Sequence, residues 1–211
     1  MTGRSPIRFR TTRLACLVAG TGLLVVAVVV IGAMAPGYDP MTDTVSRLGS
    51  PGQPYAIWAR TAFVLYGLLV LGGAAPLGDV APTRRRSLTT AIAIYAAAAV
   101  VAGLARKDPP DVPSTFVSEV HVGATIVGGA GILFAMILVS RHAPLRVDRR
   151  LATVVAALTT VGVVVFRFSW GSALYGLIER SFLALAMLWL AALAARLLTP
   201  DRVGVVLGEQ P

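Results

Sequence analysis

The chain has 211 residues, of which 56% are hydrophobic and only 14% charged, and its mean hydropathy is +0.76. A water-soluble domain carries charge on about a quarter of its residues, so a soluble fold is excluded and the sequence predicts an integral membrane protein. The net charge of +9 does not signal nucleic acid. The arginines gather at the ends of apolar runs, in "RSPIRFRTTR", "RRR" at 84–86 and "RVDRR" at 146–150, a distribution that orients a chain in a membrane and attracts anionic headgroups.

Six apolar runs approach or reach the length of about 20 helical residues that crosses a bilayer: 14–34, 56–77, 87–105, 120–139, 151–166 and 176–198. The expected fold is all-α, a polytopic bundle of six transmembrane spans. The expected domains are a basic cytoplasmic N-terminus (1–13), a six-helix membrane domain (14–198) and a cytoplasmic C-terminal tail (199–211). The first run, followed by "AMA", imitates a secretory signal, but a signal's apolar core is only about 7–15 residues, so a retained helix is expected. Cys16 is the single cysteine, so no intramolecular disulfide forms. With Arg13 where a lipobox carries an aliphatic residue, Cys16 is read as a buried, inert thiol.

With the N-terminus inside, Arg4, Arg8, Arg10, Arg13, Arg84, Arg85, Arg86, Arg141, Arg146, Arg149, Arg150, Arg196 and Arg202 face the cytoplasm. Arg47, Arg60, Arg106, Lys107, Arg167 and Arg180 face outward. That bias predicts both termini in the cytoplasm of a multi-pass plasma-membrane protein.

Between the first two spans lies "GYDPMTDTVSRLGSPGQPY". Asp39 suits an N-cap, Pro40 the first helical position and Gly49 the C-terminal stop. Met41, Val45 and Leu48 recur at helical spacing, and Asp43 and Arg47 stand four apart, where they can pair. The pattern predicts a short amphipathic helix on the outer membrane surface or in the mouth of the bundle. "SPGQPY" then turns the chain into the second span. Small residues in "AIAIYAAAAVVAG" and "GGAGILFA" suit close helix contact without a GxxxG motif.

The other outward loops add polar groups on the same side. "RKDPPDVPSTFVSEVH" supplies Arg106, Lys107, Asp108, Asp111, Glu119 and His121, and "RFSWGSALYGLIER" supplies Arg167, Glu179 and Arg180, while Trp58, Trp170 and Tyr175 mark the interface. Arg60 and Arg180 each follow a tyrosine, Tyr55 or Tyr175, by five residues, about 7–8 Å deeper along a helix. At that depth an arginine needs a carboxylate, a headgroup phosphate or a wet cavity. The available acids are Asp43, Asp108, Glu119 and Glu179.

Catalytic and cofactor patterns are weak. The histidines, His121 and His142, fall at opposite faces, about 30 Å apart by helical rise, which defeats bis-histidine haem ligation. No HExxH occurs, and Glu119 and His121 point to different helix faces, so a metal would need Asp43, Asp108 and His121 to converge from separate loops. Ser46, His121 and an aspartate are the ingredients of a serine nucleophile, without a GxSxG elbow. The span centres are apolar, unlike the broken helices of transporters. No cofactor is expected.

"DPMTDTVSRLG…P" before the second span, "KDPP" with "EVH" entering the fourth, and "GLIERSFLALAMLWL" in the sixth together resemble domain-of-unknown-function family 998, a family of six-helix prokaryotic membrane proteins, over residues 14–198. The segment at 43–49 matches the family's acidic-Thr-aliphatic-Ser-x-Leu-Gly pattern. His121, Glu179 and Arg180 match positions where the family tends to carry such residues. The chain departs from the family in "LARKD", where an aromatic–proline pair is common. The resemblance implies the six-helix fold and an outward polar cluster, and no activity. The expected function is non-enzymatic: binding lipid headgroups or another membrane protein through Asp43, Ser46, Arg47, Arg60, Asp108, His121, Glu179 and Arg180. The competing expectation is an enzyme or transporter that handles a lipid-linked or small polar substrate at the same cluster.

Overall fold

The computed structural model describes residues 6–109 and 112–198. Arg4, Asp111, Arg202 and the tail 199–211 lie outside the described residues. Six helices are long and apolar enough to cross a membrane: α1 (Pro6–Met34), α2 (Ala56–Leu77), α3 (Arg85–Leu104), α4 (Phe116–His142), α5 (Arg146–Phe168) and α6 (Tyr175–Leu198). Their ends follow local chemistry. The chain leaves α1 through Pro36 and Gly37, whose φ of 69° is the left-handed turn that glycine adopts without strain. Thr115 caps α4, its hydroxyl accepting the Ser118 amide at 3.4 Å.

α2 coincides with its apolar run at both ends, whereas α1, α4 and α5 overrun the stretches that announce them. The fifth run, 151–166, becomes a helix of 23 residues because "RVDRR" is helical too. Its Asp148 sits in the first turn, where a carboxylate favours the helix dipole. It is buried and paired with Arg196 in the last turn of α6.

Each helix packs on its neighbours in the chain, and α6 returns to α1, closing a ring. The core joins Leu14 and Leu17 of α1, Tyr66 and Val70 of α2, Leu88 and Ile92 of α3, Met136 of α4, Val155 of α5 and Trp189 of α6. Cys16 is half-buried, at the border of the inward stripe of Leu14 and Leu17, not inside the core. Large apolar side chains also cover the outside, among them Val26, Ile126, Leu158 and Leu188. Helices apolar all round are what a lipid-embedded bundle requires.

The small residues of α3 and α4 permit the close contact their density predicts, a Cβ on Gly131 standing 3.0 Å from the Ala91 carbonyl oxygen, and α2 approaches α3 as closely. A Cβ on Gly67 would stand 2.6 Å from the Ala96 carbonyl oxygen, and one on Gly103 2.8 Å from that of Arg60. Across the same seam the Tyr66 and Tyr95 hydroxyls hydrogen-bond at 2.8 Å.

Ion pairs fix one end of the ring. Asp79, beyond α2, meets Arg10 of α1 at 3.4 Å and Arg85 of α3 at 3.1 Å, and the Asp148–Arg196 pair ties α5 to α6. This is the arginine end. The opposite, cap end carries the loops after α1, α3 and α5.

Candidate functional site

The cap is built from a folded loop after α1. Asp39 organises a turn: its carboxylate accepts the Met41 amide at 2.9 Å and its carbonyl the Asp43 amide at 2.8 Å. The turn then stops. Thr44 is extended (φ −67°, ψ 153°), and a separate 3-10 helix runs from Val45 to Gly49. The short helix predicted from Pro40 to Gly49 is therefore two pieces, and the cause lies far away in sequence. The amide of Val45 is taken at 2.5 Å by the Glu179 carboxylate of α6 instead of by a continuing helical turn. The predicted apolar stripe divides accordingly. Val45 and Leu48 are buried in the bundle mouth, whereas Met41 is exposed. Burial of each of the two contributes about 2 kcal/mol. Asp43 and Arg47 do pair, as their spacing predicts.

Arg180 holds the loop from the other side. Its Nη1 donates to the carbonyls of Pro40 and Asp43, both at 2.7 Å, and of Gly176 at 2.9 Å. Its Nη2 donates to the Tyr38 hydroxyl, and the guanidinium lies 5.4 Å from the Tyr38 ring centre, within cation–π range. Burial pushes the Tyr38 phenol up to about 12 against the opposing pull of Arg180. The Leu177 amide adds a bond to the Met41 carbonyl at 3.0 Å. This approach needs Gly176, since a Cβ there would stand 2.2 Å from the Asp43 carbonyl oxygen.

A second knot closes the end of α3. Arg60 of α2 donates through Nε to the Gly103 carbonyl at 3.1 Å and through Nη2 to that of Leu104 at 2.7 Å. His121 of α4 donates through Nδ1 to the carbonyls of Ala102 and Ala105, both at 2.9 Å. Two carbonyl acceptors require the proton on Nδ1, so the neutral ring keeps its lone pair on Nε2. The last carbonyls of a helix lack intrahelical partners and accept hydrogen bonds from Arg and His side chains. Arg60, His121 and Arg180 thus share one task at different places: each satisfies backbone carbonyls where a helix or turn ends. Among the described residues, neither arginine is ion-paired with a carboxylate.

The third knot starts α4. Asp108 accepts the Thr115 amide at 2.7 Å, and its own amide donates to Ser118 Oγ at 3.1 Å. The Thr115 hydroxyl and amide, with Arg106 nearby, hold the Asp108 carboxyl below the usual carboxylate range. Glu119 accepts the Ser114 hydroxyl.

Ser46, Arg60, Arg106, Lys107 and His121 line one cleft between the knots. Its volume is about 10 Å³, space for a single water. The Ser46 hydroxyl hydrogen-bonds that of Thr44 at 3.1 Å. Asp43 is engaged with Arg47 and the Asp39 amide, and Asp108 with the start of α4. Among the described residues, Ser46, His121 and an aspartate are not joined by hydrogen bonds, and no group of three or more His, Cys, Asp or Glu side chains is placed to hold a metal. Tyr38, Gly176, Arg106 and Lys107 are parts of the site that the eight predicted residues do not include. The glycine at the head of an apolar span in "YGLIER" was the available signal for close backbone approach.

Fold and cap together define the class, an all-helical multi-pass membrane protein with six spans. The chain belongs to the family described as "Protein of unknown function (DUF998)", whose sequence model matches residues 18–196. Neither a search of curated proteins nor one of solved structures returned a match.

Proposed function

We propose that the protein is a non-enzymatic module of the bacterial plasma membrane, both termini cytoplasmic, that binds the phosphate of a lipid headgroup at the mouth of its outward-facing cap. The observation carrying this reading is the rim of the cleft. Arg60 and His121 are spent on carbonyls, but Arg106 and Lys107 stand beside them, and among the described residues neither forms an ion pair. A cleft with room for one water takes a headgroup across its rim and not inside. The rings of Trp58, Phe116, Phe168 and Trp170 are exposed at the same end, the depth at which aromatic belts meet headgroups. Orientation rests on Arg10, Arg13, Arg84, Arg85, Arg86, Arg141, Arg146, Arg149, Arg150 and Arg196 at the opposite end, following the positive-inside rule.

Native mass spectrometry of the detergent-purified chain with added phosphatidylglycerol or phosphatidylcholine tests the proposal. Arg106→Ala/Lys107→Ala is expected to lose one bound phosphatidylglycerol while melting as the wild type does. Equal retention by wild type and variant would refute it.

A second reading, chemistry on a lipid-linked substrate, has one observation in its favour. Ser46 and His121 share the cleft, and the Nδ1 bonds leave His121 Nε2 as a base. Turnover of a lipid phosphoester or acyl ester that disappears in Ser46→Ala would support it over binding alone.

A further inference from the structure

At the arginine end, an open groove of about 630 Å³ runs between the end of α4 and the first turns of α5, lined by Ser140, Arg146, Arg149, Arg150, Thr153 and Val154. We infer that this groove is a binding site for one anionic phospholipid, its phosphate held by Arg146, Arg149 and Arg150 and its acyl chains laid along α5. The inference concerns a different end, different residues and a different leaflet from the cap.

Helical geometry puts the lining residues of α5 on one face, at i, i+3, i+4, i+7 and i+8. The face therefore presents three guanidinium groups within about two turns, then a hydroxyl, then hydrocarbon. The acid of this segment does not neutralise them. Asp148 lies on the buried face and is paired with Arg196. Among the described residues, Arg146, Arg149 and Arg150 form no ion pair. The groove is an uncompensated cationic surface.

The same face continues as a track for acyl chains. Val154, Leu158, Val161 and Val165 follow at i, i+4, i+7 and i+11, and all are exposed. Cationic grooves between spans recognise anionic headgroups, and arginine's planar fork grips phosphate oxygens in pairs. A soluble anion would use the guanidinium groups and make no use of the apolar track beside them, and a zwitterionic lipid would use the track but bring an ammonium group to the arginines. An anionic phospholipid satisfies both halves.

The test is native mass spectrometry of the full chain titrated with phosphatidylglycerol, phosphatidylcholine or inorganic phosphate. Arg146→Gln/Arg150→Gln is expected to weaken retention of one phosphatidylglycerol by about thirtyfold, two contacts of ordinary membrane-surface strength. Arg84→Ala/Arg86→Ala removes two exposed charges from the same end outside the groove and is expected to leave that lipid in place. Thr153→Trp keeps every arginine and sets an indole between the guanidinium groups and the apolar track, and it too is expected to expel the lipid, which preserves the test if the arginine variant does not fold. The Arg106→Ala/Lys107→Ala variant retains this lipid whatever happens at the cap, so the two sites succeed or fail separately. Equal losses from the groove and control arginine pairs would mean diffuse surface attraction and overturn the inference. So would retention in Thr153→Trp, or displacement of the lipid by inorganic phosphate at equal concentration.

Discussion

Replacing Gly176 by alanine tests the cap, because two effects of opposite sign compete at one atom. By helix propensity alone, alanine in α6 stabilises by about 1 kcal/mol. The added Cβ, however, would stand 2.2 Å from the Asp43 carbonyl oxygen and 2.8 Å from Arg180 Nη1. Carbon and oxygen rest at about 3.3 Å or more, so loop and helix must part by about 1 Å. A shift of that size carries the Leu177–Met41 bond, now 3.0 Å, and the Arg180–Asp43 bond, now 2.7 Å, to or beyond the limit of useful hydrogen bonding. Overpacking costs about 1–3 kcal/mol, the backbone bond contributes about 1 and the guanidinium bond about 1.5–3. Allowing for partial relaxation and the propensity gain, the net expectation is a loss of about 2–4 kcal/mol. For a chain of this size that lowers the melting temperature by roughly 5–15 °C. Tryptophan fluorescence in detergent reads the melting, and limited trypsin digestion reads the loop, where Arg47 becomes a cleavage site once undocked. A melting temperature at or above wild type, with Arg47 still protected, would refute the close apposition of loop and α6.

Three further outcomes follow from the same contacts. Arg60→Lys keeps the charge but reaches only one of the two carbonyls that Nε and Nη2 now serve, so a loss of about 1–2 kcal/mol is expected, visible as faster hydrogen exchange in the last turn of α3. Tyr38, with its phenol raised to about 12 from an unfolded value near 10, retains its proton where the unfolded chain loses it. Its contribution is complete below pH 10 and disappears as pH rises to 12; a phenolate absorbance difference between wild type and Tyr38→Phe that develops near pH 10 would contradict this. Asp108 behaves in the opposite sense. Its depressed folded value gives stability that is present above the ordinary carboxylate range and lost as pH falls through the lowered value. Asp108→Asn is expected to speed exchange of the Thr115 amide at neutral pH, with wild type approaching the variant only in acid.

The spans were legible because long apolar runs have few alternatives. Both ends of α2 and the last residues of α1 and α6 were legible too, but the starts of α1 and α5 were not, since charged residues such as 146–150 continue a helix beyond the hydrocarbon. The Asp43–Arg47 pair was readable from spacing. Arg60 and Arg180 were readable as residues needing partners, but the partners are backbone carbonyls, which leave no mark in sequence. The break at Thr44 was hidden for a related reason. Asp39, Pro40 and Gly49 carry helix signals that are locally consistent, and a carboxylate 134 residues away decides between one helix and two pieces. Tyr38 was overlooked because it precedes the N-cap signal of Asp39 and Pro40, and its partnership with Arg180 exists only once α6 is in place.

That dependence of the first loop on the last span sets an order of manufacture. The ribosome delivers residues 38–50 early, when neither the carboxylate that takes the Val45 amide nor the guanidinium that takes the Pro40 and Asp43 carbonyls has been synthesised. Five inserted helices leave this loop with bare backbone groups, and only the arrival of α6 satisfies them. Docking of this first loop therefore reports that the last span is in place. Nascent chains stopped before Tyr175 are expected to be cut at Arg47 at the rate of an open loop, and finished chains to resist.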